Sequence, residues 1–149
     1  MFRFANDNDI DTIVKFVKDY AAEAGGWFFE IDEEGCREEA IRDIPNTIIV
    51  EDNGDAIGLL ILEQVKIKWA KDIILIDKLL YVHPDHRKTG VGTQLLKEMK
   101  RIAEALKMKI MVTSFNGKDI ERKEKLYEHG GFMKVGGVYI YEPKTLTSS

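Results

Sequence analysis

The chain has 149 residues, 44% of them hydrophobic and 32% charged, with a formal net charge of −4. This length suits one domain with one core, and the hydrophobic fraction is too high for a disordered protein. The mildly acidic balance argues against a dedicated nucleic-acid-binding protein, which usually carries a strongly basic stripe. No segment approaches the roughly 20 apolar residues that span a bilayer, so we expect no membrane partner.

The single cysteine, Cys36, excludes an intramolecular disulfide and favours a reducing compartment. The first seven residues lack the apolar run of a signal peptide, and we therefore expect a cytoplasmic protein. Composition predicts one domain over residues 1–144, followed by a disordered polar tail over 145–149.

The first third of the chain predicts a short strand and two helices. The strand covers Met1 to Ala5, and apolar residues recur at helical spacing from Ile10 to Ala21. Gly25-Gly26 ends that first helix, and a second, shorter helix covers Glu33 to Ile44. The connection between the two helices carries three adjacent aromatic residues, Trp27, Phe28 and Phe29.

The middle of the chain predicts an antiparallel meander of three strands. Thr47 to Val50 is rich in β-formers, and Asn53-Gly54-Asp55 is a hairpin turn signal because asparagine and glycine tolerate positive φ. The returning strand covers Ile57 to Lys68. The next covers Ile73 to Val82 and begins with an apolar run typical of a buried central strand.

The last third predicts a crossover and a final hairpin. An amphipathic helix runs from Gly90 to Lys107, and Met108 to Ser114 follows as a strand, which favours a parallel, right-handed connection. A last helix covers Asp119 to His129, and the segments 132–135 and 138–142 form the hairpin. The whole pattern predicts one α+β domain with a mixed sheet.

The segment Arg87-Lys88-Thr89-Gly90-Val91-Gly92 follows a predicted buried strand and begins a helix. A helix N-terminus offers unpaired N–H groups and partial positive charge, which together bind phosphate. The two glycines remove side chains where an anion must approach the backbone. The segment lacks a Walker loop, and Leu95 stands where a dinucleotide fingerprint needs its third glycine. The alternative is that the segment only caps a helix and that its two glycines have no role in binding a ligand.

Two motifs resemble one known family. Arg87-x-x-Gly90-x-Gly92, led in by Val82-His83-Pro84-Asp85-His86, resembles the Gln/Arg-x-x-Gly-x-Gly/Ala signature of the GNAT superfamily of N-acetyltransferases. The segment Leu126-Tyr127-Glu128-His129-Gly130-Gly131-Phe132 resembles that family's second motif. The order of the motifs and of the predicted elements also agrees, so the resemblance covers nearly the whole chain. It implies an α/β/α layered domain whose central, mostly antiparallel sheet has a V-shaped splay between the fourth and fifth strands.

The resemblance also implies acetyl-CoA as co-substrate and a site for it. The pyrophosphate is expected on the Gly-rich turn and the pantetheine arm along the exposed backbone of the preceding strand. The expected contacts are Leu80, Tyr81, Val82, Arg87, Lys88, Thr89, Gly90, Val91, Gly92 and Thr93. In many relatives an asparagine lies seven residues before the motif tyrosine, where this chain has Ile120. Asn116 is the candidate for that contact, delivered by a longer loop.

Transfer in this family is commonly direct attack of an amine in a ternary complex. The resemblance implies that Tyr127 donates a proton to the departing thiolate; the alternative is a packing role. Asp77 lies near the position of a catalytic glutamate in some relatives, which makes it a candidate for the general base. The alternative is that Asp77 faces outward from the strand and pairs with Lys78 or Lys71. Glu63 or a chain of waters are further candidates for the base.

The acceptor is expected to be a small-molecule amine or a protein amino group. Trp27 and Phe28 are placed to wall its site, and four nearby acids would favour a cationic acceptor unless they only begin a helix. The acids are Glu30, Asp32, Glu33 and Glu34.

His83 and His86 lack a third ligand at suitable spacing, so no metal is expected. The alternative function is a non-catalytic CoA-binding or protein-interaction module of the same fold, and a homodimer is left open.

Overall fold

Five strands form one sheet whose spatial order, β1-β2-β3-β4-β5, is also their order along the chain. The computed structural model describes residues 1–24, 30–113, 120–137 and 139–143. The first three strand pairs are antiparallel, and β4 and β5 pair in parallel, which confirms the predicted mixed, mostly antiparallel sheet. The strands are β1 (Phe2–Phe4), β2 (Thr47–Asp52), β3 (Asp55–Lys66), β4 (Ile73–Val82) and β5 (Ile110–Met111).

Four α-helices cover the two faces of the sheet: α1 (Ile10–Glu23), α2 (Glu33–Asp43), α3 (Val91–Leu106) and α4 (Ile120–His129). One core lies between the sheet and α1 and α2, and the other between the sheet and α3 and α4. In β4, Leu79 and Tyr81 enter the first core, while Leu80 and Val82 pack against the second. This alternation builds the α/β/α layers expected from the sequence.

Side-chain caps begin the 3₁₀ turn before α1 and the helix α2. Asn6 and Asp9 form a reciprocal capping box in the short 3₁₀ turn that leads into α1. Asp32 accepts a hydrogen bond from the backbone N–H of Gly35 at 3.2 Å at the start of α2. Glu33 pairs with Lys18 at 3.4 Å. Asp32 and Glu33, two of the acids that follow the aromatic connection, therefore have structural partners.

The end of the chain differs from the prediction. Over 132–137 and 139–143, the residues that the structure describes contain no strand, so the final hairpin expected there is wrong for these residues. Their apolar pattern favours β-structure, but a strand needs a paired neighbour, and β5 at the sheet's end is only two residues long. The side chains of Met133 and Tyr139 are accordingly 82% and 95% exposed.

Several sequence predictions fall outside the described residues: the aromatic segment 27–29, Asn116 and the tail 145–149. Among the helices that are described, none combines the length and apolar character needed to cross a membrane. The cytoplasmic location stays a prediction.

Candidate active site

The segment from Arg87 to Thr93, here called the donor loop, joins the end of β4 to the first turn of α3. A short 3₁₀ turn over Pro84–His86 reverses the chain after β4. Lys88 and Gly90 then adopt left-handed backbone conformations, with φ of 67° and 89°. The first bond of the helical pattern runs from Gln94 N to Gly90 O at 3.0 Å. The N–H groups just before Gln94 therefore belong to the unsatisfied first turn of α3.

The two glycines of the donor loop have different surroundings. A Cβ atom built on Gly90 would meet no atom within 4 Å, so this part of the backbone faces open space. A Cβ on Gly92 would lie 3.5 Å from the Leu126 side chain of α4, an ordinary packing distance. Gly90 thus supplies both the positive φ and the open approach that an anion needs, which fits the pyrophosphate of acetyl-CoA.

The side chain of Arg87 turns away from the open face of the donor loop. Its Nε donates to the backbone oxygen of Val82 at 2.8 Å, and its two terminal nitrogens bond both carboxylate oxygens of Glu23 in α1. Thr89 is also engaged within the loop, since its hydroxyl donates to the His86 backbone oxygen at 2.5 Å. Lys88 and Thr93 are exposed at the loop surface.

One edge of β4 faces β5 and leads toward the donor loop. β5 pairs with β4 only through Leu75 with Ile110 and Ile76 with Met111. From residue 77 to 82 this edge has no ladder partner among the described residues, which is consistent with the splay that the family resemblance implies. The stretch includes Leu80, Tyr81 and Val82, the residues expected to contact pantetheine. The ring of Tyr81 itself is buried, 5.4 Å from that of Phe16, so only its backbone is open to a ligand.

Asp77 and Tyr127 both bond the backbone of Thr113, two residues after the end of β5. The backbone N–H of Thr113 donates to Asp77 Oδ1 at 3.2 Å, and the Tyr127 hydroxyl donates to the Thr113 backbone oxygen at 3.3 Å. Burial raises the pKa of Asp77 to about 7, although backbone hydrogen bonds oppose this shift. Burial, and then the charge of Asp77, also raises the pKa of Tyr127 above its usual value. The cluster thus joins a carboxyl group that titrates near neutrality to a phenol that stays protonated.

A β-bulge in β4 directs Asp77 toward this cluster. The register with β3 slips between Ile61, which pairs with Leu79, and Leu62, which pairs with Asp77, so Lys78 is the extra residue. Without the bulge, Asp77 would share the face of Leu79, under α1 and α2. With the bulge it shares the face of Leu62, which belongs to the core below α3 and α4.

The ammonium of Lys78 lies on α2, away from Asp77. Its Nζ is 2.5 Å from Glu39 Oε1 and 2.8 Å from Asp43 Oδ2. The alternative in which Lys78 pairs with Asp77 is therefore wrong. Glu63, the other carboxylate considered as a base, is exposed on β3 opposite Ile76 and takes no part in the cluster.

Two functional candidates on α1 escaped the sequence analysis. Tyr20 packs against the core between the sheet and α1 and α2, and burial raises the pKa of its hydroxyl, as do the charges of Asp77 and Glu23. Glu23 holds Arg87. Two features of the sequence could have found them. Tyr20 and Glu23 are spaced i, i+3 and so share one helix face. Glu23 also places a carboxylate in the last turn of the helix, where the helix dipole disfavours a negative charge.

Metal binding finds no support at the two histidines that flank the 3₁₀ turn. Their ring centroids are 6.2 Å apart, and His83 Nδ1 accepts a hydrogen bond from the backbone N–H of Asp85 at 3.2 Å. Across the described ranges, no group of three or more His, Cys, Asp or Glu residues could hold a metal ion.

The first turn of α3 thus follows the end of β4, and a carboxyl group and a phenol both bond the Thr113 backbone nearby. The chain belongs to the GNAT acetyltransferases: the model of the acetyltransferase (GNAT) domain matches residues 44–134, more than half of its length. It is therefore an acyltransferase of the family whose co-substrate is acetyl-CoA. This confirms the resemblance found in the two sequence motifs.

Solved structures with the same fold agree with this assignment. A predicted acetyltransferase from Clostridium acetobutylicum, solved with acetyl-CoA, has a TM-score of 0.75 at 18% identity and covers 95% of both chains. A possible acetyltransferase from Clostridium difficile 630 has a TM-score of 0.73 at 19% identity, covering 96% of this chain and 97% of its own.

An aminoglycoside 6′-N-acetyltransferase from Acinetobacter haemolyticus has a TM-score of 0.70 at 14% identity, covering 97% of this chain and 98% of its own. No curated protein matches the chain.

Proposed function

We propose that the chain transfers the acetyl group of acetyl-CoA to a primary amine by direct attack in a ternary complex. The observation that carries this proposal is that Asp77 and Tyr127 both bond the backbone of Thr113. One group is suited to accept a proton and the other to donate a hydrogen bond, and both lie beside the edge of β4 that faces β5.

The donor loop would hold the pyrophosphate through the backbone N–H groups of residues 88–93. The positive end of the α3 dipole and the open space at Gly90 support this role. The backbone edge of residues 80–82, which has no ladder partner among the described residues, would take the pantetheine arm as an added strand. When bound there, acetyl-CoA supplies an electrophilic carbonyl carbon and a thiolate leaving group.

Asp77 would act as the general base. An alkyl ammonium has a pKa of about 10.4 and must lose a proton before its nitrogen can attack. A carboxyl group with a pKa of about 7 is a much stronger base than an ordinary aspartate, and it is about half ionised at neutral pH. The ammonium first releases one proton to solvent, which gives a neutral nitrogen that can attack. Its second proton passes to Asp77 while the C–N bond forms and the C–S bond breaks, and Asp77 then returns this proton to solvent.

Tyr127 would stabilise the departing sulfur by a hydrogen bond. Its raised pKa exceeds the value of about 8.5 for a thiol, so the proton remains on the phenol oxygen. A hydrogen bond to a developing anion is stronger than one between neutral groups, and this difference favours the transition state. The phenol would exchange its present acceptor, the Thr113 backbone oxygen, for the sulfur, which then takes its own proton from solvent.

The acceptor we favour is a small cationic amine. Structures similar in fold include aminoglycoside acetyltransferases, although a ribosomal-protein-alanine N-acetyltransferase from Brucella melitensis is also among them. Asp32 caps α2 and Glu33 pairs with Lys18, and Asp77 when ionised would place a further negative charge in the cleft that favours a cation.

The proposal is tested by thiol release from saturating acetyl-CoA with a panel of a polyamine, an aminoglycoside and a lysine-containing peptide. We expect one thiol for each amine acetylated, with the small amines as the better acceptors. Binding of acetyl-CoA without thiol release for any amine would favour the non-catalytic CoA-binding module.

A further inference from the structure

A bidentate ion pair joins the last turn of α1 to the first residue of the donor loop. Arg87 Nη2 lies 2.8 Å from Glu23 Oε2, and Nη1 bonds the other carboxylate oxygen. The two side chains are only 26% and 22% exposed. The guanidinium also stacks over the Tyr81 ring, 5.5 Å from its centroid, while Nε is fixed on the Val82 backbone oxygen. Contacts with α1 and β4 thus set the orientation of this side chain.

The position of Glu23 within α1 is not explained by the stability of that helix. A carboxylate in a last turn faces the negative end of the helix dipole, where a cation would be favoured. The last turn of α1 carries no basic residue to offset it. Pairing with Arg87, which is distant in sequence, gives this carboxylate a cationic partner that offsets the cost.

We infer that Arg87 positions the donor loop through Glu23 and does not bind the donor pyrophosphate with its guanidinium. This inference rests on the proposed function, because it takes the donor loop as the pyrophosphate site. The fork of the guanidinium fixes the first residue of the loop at two points, on α1 and on β4. The left-handed turn at Lys88 and Gly90 follows directly, so the backbone N–H groups stay aimed at the open face.

The direction in which Glu23→Gln changes CoA affinity distinguishes a positioning role of Arg87 from direct binding of the pyrophosphate. Glu23 is a negative charge near the site of a polyanion, so Coulomb repulsion alone predicts tighter CoA binding when that charge is removed. Direct binding by Arg87 predicts the same sign, because Glu23→Gln would release a guanidinium to the phosphates. Positioning predicts weaker binding, because the loop loses its attachment to α1.

Calorimetric titration with CoA would measure Kd for the wild type, E23Q, R87Q and the double variant. We expect each single substitution to weaken binding about fivefold, and the double variant to be no weaker than either single one, as for two residues that act as a unit. The KM for acetyl-CoA should rise in parallel, with kcat at saturating donor within about twofold of wild type. Glu98→Gln, which breaks an exposed Glu–Arg pair on α3, is the matched control and should leave Kd unchanged.

Tighter or unchanged CoA binding in E23Q would overturn the inference, and so would additive losses in the double variant. Arg87→Lys gives an independent answer if E23Q fails to fold, because it keeps the charge and loses the fork. Positioning predicts that R87K is about as weak as R87Q, whereas wild-type affinity would overturn it. A wild type that does not bind CoA would instead defeat the proposed function itself.

Discussion

The donor loop and the cleft at Asp77 lie side by side but are built from different chemical groups. The donor loop presents backbone N–H groups, and its specific demand is a residue at Gly90 that tolerates positive φ and leaves open space. The cleft depends on two side chains from different elements, and their properties arise from burial. Substitutions at Gly90 should therefore change binding of the donor, whereas substitutions at Asp77 and Tyr127 should change turnover.

The largest effect is expected from Asp77→Asn. The amide keeps the shape of the side chain but cannot accept the proton, so kcat should fall by about 10²- to 10⁴-fold. The Kd for acetyl-CoA should not change, which is measured by calorimetry beside steady-state kinetics. Asp72→Asn, at an exposed position just before β4, is the control. Unchanged kcat in D77N would remove Asp77 from the mechanism.

Gly90→Asp should weaken the binding of acetyl-CoA by the donor loop. It places a negative charge beside the phosphates and a side chain at a φ of 89°, and we expect acetyl-CoA to bind about 100-fold more weakly. Gly54→Asp is a close control, because Gly54 has a φ of 83° and the same open surroundings in the β2–β3 turn. Equal donor affinity in the two variants would contradict the assignment of the donor loop.

Stability gives a third contrast, again at Asp77. Its folded pKa of about 7 lies above the unfolded value of about 3.9, so the folded protein binds more protons between these pH values. Stability then falls as pH rises from about 4 to about 7. We expect D77N to be more stable than wild type by up to about 4 kcal/mol at pH 8, because each pKa unit corresponds to about 1.4 kcal/mol, and equal at pH 4, as measured by urea unfolding. A difference that does not depend on pH would contradict the raised pKa.

Tyr127→Phe should have the smallest effect. The ring stays in place against Phe132, 5.9 Å between centroids, and only the hydroxyl is lost. We expect kcat to fall about tenfold with unchanged donor Kd, consistent with the loss of one hydrogen bond to a charged atom. Tyr141→Phe, at a side chain 84% exposed, is the control. Wild-type turnover in Y127F would assign Tyr127 to packing alone.

The conformation of the donor loop could be predicted from the sequence because it depends on local features, whereas its binding role stays a prediction. Glycine spacing and a helix start are visible in a few consecutive residues, as is the long apolar strand before them. The first four strands and the three helices before β5 were predicted for the same reason, since each carries its own periodicity or turn signal.

The cleft is harder to predict because it depends on pairing between distant segments. Strict alternation along β4 would place Asp77 beside Leu79, and only the slip in register with β3 turns it toward Tyr127. The engagement of Arg87 by Glu23 likewise depends on how α1 packs across the sheet. The prediction of a final hairpin was wrong for the described residues, because an apolar β pattern in the sequence does not ensure that a neighbouring strand is there to pair with it.

The central claim is that the donor loop and the edge of β4 that faces β5 bind acetyl-CoA. The most direct test is the thermal unfolding midpoint of the wild-type protein with and without saturating acetyl-CoA. A ligand that binds only the folded state raises this midpoint by linkage, so the account predicts an increase that grows with acetyl-CoA concentration. A midpoint that does not move at any concentration would contradict it.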